Sequence, residues 1–145
     1  EIPGGKVWWM ENLDGTGRSW ERHEIAAPDP EQGPRRGAYH SLIVTDFDGD
    51  GDLDVFSCEM EAVGGERPPR WYIWENLDGR GGAWEEHVVL DANLGGHAAR
   101  AGDVTGNGQL DIIAKPWRAT EQNALDGRMF VVFLENVSTS MSDRK

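Results

Sequence analysis

Short apolar runs alternate with Gly- and Asp-rich punctuation along the chain, and no helical period of apolar positions persists for a useful length. Val7-Trp-Trp-Met-Glu11, Trp71-Tyr-Ile-Trp-Glu75 and Met129-Phe-Val-Val-Phe-Leu134 are aromatic and β-branched, the composition of strands. The first two run into an Asn-Leu-Asp-Gly turn, after which Trp20–Ile25 and Trp84–Leu90 alternate as returning hairpin partners. Ser41–Thr45 and Val55–Met60 flank one Asp-rich segment; Ala98–Gly102 and Ile112–Lys115 flank another. These elements predict an all-β chain.

Internal repetition organises the strands. Glu11-Asn-Leu-Asp-Gly-Thr-Gly-Arg-Ser-Trp-Glu-Arg-His23 recurs 64 residues on as Glu75-Asn-Leu-Asp-Gly-Arg-Gly-Gly-Ala-Trp-Glu-Glu-His87, with nine of thirteen positions identical. His40–Asp54 recurs 57 residues on as His97–Asp111, keeping the His, the first and last Asp, and Gly49, Gly51 and Leu53. Leu134-Glu-Asn136 echoes Trp74-Glu-Asn76. A complete unit thus reads strand, Asp loop, strand, long connection, strand, hairpin, strand. Four-stranded antiparallel units of this order suit the blades of a β-propeller.

Residues 40–90 supply one full blade, residues 5–25 the last two strands of another, and residues 97–136 the first three of a third, about two blades in all. Propellers close with about 4–8 blades. The expectation is therefore either a segment of a longer propeller or a ring assembled from several copies, with unpaired edges favouring added strands. Residues 138–145 read as a polar tail, and a start at Glu1-Ile-Pro without an initiator Met reads as processed, trimmed or truncated.

At 145 residues, with 38% hydrophobic and 28% charged, the chain has the size and balance of one folded domain. Nineteen Gly and seven Pro fit many tight turns, and seven Trp supply bulk between thin layers. A net charge of −12 argues against nucleic acid and anionic membrane surfaces as partners. No apolar run approaches the ~18 residues of a membrane span. The single Cys58 permits no intrachain disulfide and reads as a small buried residue.

The charge is concentrated where it suggests chemistry. Asp46-Phe-Asp-Gly-Asp-Gly-Asp-Leu-Asp54 converges oxygens in the manner of a calcium loop, since Ca²⁺ takes 6–8 oxygens and Gly51 permits the sharp turn. Asp46, Asp48, Asp50 and Asp54 are the expected side-chain ligands, with a backbone oxygen from Asp52. Ser57 stands where an EF-hand would need Glu, and strands flank the loop, so this is a β-loop site. The second loop offers Asp103, Thr105, Asn107 and Asp111, with a backbone oxygen from Gln109 and Gly108 at the turn. Having fewer carboxylates, it is expected to bind calcium more weakly.

These Asp loops and Glu-Asn-Leu-Asp-Gly hairpins resemble the FG-GAP/VCBS repeats of calcium-binding β-propellers. The resemblance implies that each calcium loop joins the first two strands of a blade, braces it, and lies away from any chemistry. Thr105 and Asn107 depart from the acidic consensus.

Candidates for activity lie elsewhere. His40 and His97 each stand six residues before the first Asp of a loop, at the start of an innermost strand. With Glu59, Arg100 and Lys115 they form a set suited to an acidic sugar, the cations holding a carboxylate while His or Glu moves a proton. The alternative for the histidines is strand capping, and for the other charges surface solvation. The His-before-Asp-loop pattern also resembles the propeller part of certain sugar dehydratases and lyases. Trp71, Trp74 and Trp117 could stack on sugars, although strand positions favour the core. His23 and His87, in Trp-Glu-x-His, are expected to pack beneath Trp20 and Trp84. Asp14-Gly15 and Asp78-Gly79 read as turn chemistry.

The leading expectation is a calcium-stabilised propeller module, extracellular or periplasmic, that binds a carbohydrate or protein ligand. The rivals are part of a sugar dehydratase or polysaccharide lyase, and a structural adhesion segment.

Overall fold

A computed structural model of the chain describes residues 5–27, 38–60, 68–118 and 125–137. The tail at 138–145 and the first residues fall outside them. Within the described residues the chain is all-β: β1 (Val7–Asn12), β2 (Trp20–Ala26), β3 (Tyr39–Thr45), β4 (Asp54–Glu59), β5 (Trp71–Asn76), β6 (Trp84–Leu90), β7 (Ala98–Gly102), β8 (Asp111–Lys115) and β9 (Val132–Leu134). They form a two-stranded sheet β1-β2, a four-stranded sheet β3-β4-β5-β6 and a three-stranded sheet β7-β8-β9. Every pairing is antiparallel between neighbours in sequence. The middle sheet is a complete blade, and no ring closes among the described residues.

The pleat explains why β4 is buried along its whole length. Successive side chains point to opposite faces, and both faces of the middle sheet are covered. Phe56, Cys58 and Trp71 face the third sheet, packing with Ala99, Ile112 and Ala114. Val55, Tyr72 and Trp74 face the first, where Val7, Ile25 and Ala26 cover them. Phe56, Cys58, Trp71, Tyr72 and Trp74 are wholly inaccessible. Tyr72 stacks on Trp74, and Tyr39 meets both edge-on.

Sheet-to-sheet contacts are specific at a few points. The pairing of β3 with β4 slips between His40 and Leu42, and Ser41 sits there with φ 58°. This bulge re-aims the Ser41 hydroxyl, which accepts from Ala99 N–H at 2.6 Å and donates to the His97 carbonyl. The innermost strands of two sheets are thereby joined. On the other side, the Trp9 indole N–H donates to Gly81 O at 3.0 Å. A Cβ on Gly81 would lie 2.8 Å from that indole, so the approach requires glycine.

One strand is shorter than its composition predicts. Met129–Leu134 reads as continuous β, yet only Val132–Leu134 pairs, opposite Ile112–Ala114. β8 runs into Pro116, which has no N–H to extend the ladder.

Candidate cation loops and the histidine clusters

Both Asp loops connect the first two strands of their sheets, and both are shaped by carboxylates accepting backbone N–H groups. In the first, Asp46 accepts from Gly49 and Gly51, Asp48 from Asp50, and Asp50 from Asp52. Gly49 and Gly51 have φ of 82° and 99°, a conformation L side chains resist. The turn gathers oxygens of Asp46, Asp48 and Asp50 within 4.8 Å of one another. Asp52 lies beside the hairpin, where its carboxylate fills the space a Cβ on Gly79 would need.

Asp54 does something further. It is 1% exposed, and its oxygens accept from Phe47 N–H and Asn76 N–H, both at 2.9 Å. The loop is thus tied to the end of β5, while Asn76 Nδ2 donates back to Leu53 O. Burial pushes the Asp54 carboxyl above the usual carboxylate range, against those two hydrogen bonds, and the charges of Asp50 and Asp46 add to the rise. Asp48 is also raised, first by burial and then by Asp50, Asp54 and Glu75.

The second loop copies the frame and not the charge. Asp103 accepts from Gly106, Asn107 and Gly108, and Asn107 Oδ1 accepts from Gln109. Asp111, with no accessible surface, accepts from Val104, Thr105 and Asn136. These bonds, led by that from Asn136, hold its carboxyl below the usual range. Asn107 stands where the first loop has Asp50, and its Nδ2 donates to Asn136 O at 3.0 Å. Thr105 stands at the place of Asp48 and is exposed. Among the described residues no group of three acidic or His ligands forms here.

The candidates for acid–base chemistry part company. His40 and His97 do meet, their ring centroids 4.6 Å apart, and Trp117 packs edge-on against His97 at 4.9 Å. Glu59 is 4% exposed and accepts from Arg70 N–H at 2.9 Å, with Tyr72 OH at 3.5 Å. It is a buried structural carboxylate, contrary to the expectation of a solvated one. Arg100 is exposed and donates to the neighbouring Ala99 carbonyl; Lys115 is exposed at the end of β8. Trp71 and Trp74 are closed off in the core, leaving Trp117, 62% exposed, as the accessible indole of the three.

The hairpins hold features the sequence reading missed. Trp9, not Trp20, stacks on His23, with centroids 4.5 Å apart. Trp20 and Trp84 instead brace their own turns by donating to Gly17 O and Gly81 O. His23 Nε2 lies 2.9 Å from Glu11 Oε2, and His87 Nε2 2.8 Å from Glu75 Oε2. Repetition of Glu and His at both hairpins was visible in the sequence; their cross-strand register was not. Asp14 and Asp78 do serve the turns, accepting from Thr16 and Arg18, and from Arg80 and Gly82. Those bonds lower both carboxyls.

A four-stranded antiparallel sheet with an Asp loop between its first two strands and a repeat of that unit beside it define a β-propeller-like repeat module. Residues 46–114 match the family model of the FG-GAP-like repeat. A comparison with curated proteins returned no match.

Proposed function

We propose that the chain is a calcium-stabilised propeller module whose inner face binds a partner. The observation that carries the calcium reading is the convergence of Asp46, Asp48 and Asp50 within 4.8 Å on a glycine-shaped turn. Oxygen-only donors suit a hard cation, and the burial and neighbouring charge that raise the carboxyls of Asp48 and Asp54 are what a bound dication would offset. A bound Ca²⁺ would supply charge neutralisation, while Asp54 ties the loop to β5. The second loop would take calcium more weakly, because Thr105 and Asn107 replace carboxylates. Sites of this kind fill at extracellular or periplasmic calcium levels, which suits a secreted module. Among the described residues no helix is long and apolar enough to cross a membrane.

A carbohydrate is the partner best suited to the run of rings formed by His40, His97 and Trp117, since an exposed indole offers a flat apolar platform to a sugar face. The lyase alternative uses the same histidines but loses Glu59, which is committed to β4 and β5. Calorimetric titration with Ca²⁺ tests the first claim: Asp46→Ala should abolish the tighter site and Asp103→Ala only the weaker one. Unchanged stoichiometry in both variants would sink it. Glycan binding lost on Trp117→Ala with calcium uptake intact is the expected result for the second claim; retained binding would reject that surface.

A further inference from the structure

The outer hairpins present a pattern that turn chemistry leaves unexplained. In the first, Glu11 lies directly opposite Glu21; in the second, Glu75 lies directly opposite Glu85. Like charges facing each other across a ladder are destabilising, yet the arrangement occurs twice. Each pair is joined by a histidine from the returning strand, and the three donor atoms of Glu11, Glu21 and His23 lie within 4.8 Å of one another, as do those of Glu75, Glu85 and His87.

We propose that Glu75, Glu85 and His87, and equivalently Glu11, Glu21 and His23, each bind a divalent transition cation of the zinc class. The donor set decides the cation. One imidazole nitrogen with two carboxylates suits zinc and its neighbours, whereas calcium takes oxygen. A dication neutralises both glutamates; a protonated histidine would offset only one. Zinc bonds of about 2.0–2.2 Å place tetrahedral neighbours about 3.4 Å apart. The His87 to Glu75 separation of 2.8 Å therefore needs to open only slightly, and side chains 41% and 28% exposed are free to do so. The first hairpin starts from 2.9 Å with comparable exposure. Three protein ligands leave a coordination position open to water or to a donor from a partner.

The test is calorimetric titration of the full chain with zinc chloride in saturating calcium, so that the Asp loops are filled. Two equivalents are expected, falling to one in His87→Ala and in His23→Ala, and to none in the double variant. Asp46→Ala should leave zinc uptake unchanged. Cobalt(II) added in place of zinc should give visible absorption bands that the same His changes remove, and circular dichroism checks that each variant is folded. Absence of zinc uptake by the wild-type chain overturns the proposal. A His change that alters neither stoichiometry nor the cobalt spectrum overturns it for that hairpin.

Discussion

The two Asp loops share a frame and differ in what holds it together. Residues 46–54 carry five Asp, and residues 103–111 carry two. In each, the last Asp is buried and clamps the loop to the third strand of its sheet through the N–H of Asn76 or Asn136. In the first loop that clamp works against neighbouring charge, and the Asp54 carboxyl is raised; in the second, Asp111 is lowered by the bonds it accepts. The substitution of Asn107 for the Asp50 position removes a charge and adds a donor, which reaches Asn136 O. A loop with repeated glycines can thus gather carboxylates or close on its own amides, and this chain contains one of each kind.

The largest expected effect tests the shared frame. Asp54→Ala and Asp111→Ala each strand two or more N–H groups, and unmet buried donors cost about 1–3 kcal/mol apiece. Each variant should lose about 3 kcal/mol or more of stability by denaturant unfolding in chelator; a loss in only one loop would break the equivalence. Next is calcium itself. Saturation to 100 times the dissociation constant stabilises a folded-state site by about 2.7 kcal/mol. Chelation should lower the melting temperature of wild type, and most of the difference should be lost in Asp50→Asn while surviving in Asn107→Ala.

A converse exchange sharpens the contrast. Thr105→Asp with Asn107→Asp should give the second loop a calcium site comparable to the first by calorimetry, at the expense of stability in chelator. If the doubly substituted loop gains no affinity, its frame differs from the first in more than charge.

The dependence on pH should have opposite signs in the two loops once metal is removed. A raised carboxyl such as Asp48 favours folding fully below its ordinary value of 3.8, and that contribution is lost as pH rises through the folded-state value. A lowered one such as Asp111 contributes above 3.8 and loses its contribution as pH falls through the folded-state value. The stability of Asp48→Asn in chelator should therefore decline less with rising pH than that of wild type, and the stability of Asp111→Asn should decline less with falling pH. The smallest effect belongs to the turns: Asp78→Ala removes two exposed backbone contacts and should lower stability only slightly by denaturant unfolding.

Much of the architecture was legible beforehand because it is periodic. Alternating apolar residues, Asn-Leu-Asp-Gly turns and offsets of 64 and 57 define strands, hairpins and their order, and those signals act within a few residues of one another. The Asp loop was legible for the same reason: its oxygens are brought together by a nine-residue turn. What required tertiary structure was every relation across sheets or strands. Glu59 reads as a surface charge until β5 brings Arg70 N–H and Tyr72 OH to it, and Trp9 finds His23 only through the pairing of β1 with β2. His40 reaches His97 because β3 and β7 lie side by side. Residue types and short spacings set the local turns that could hold a cation. Which carboxylates face water, which are spent on backbone N–H groups and which face one another depend on packing between distant segments, and only the folded sheets decide that.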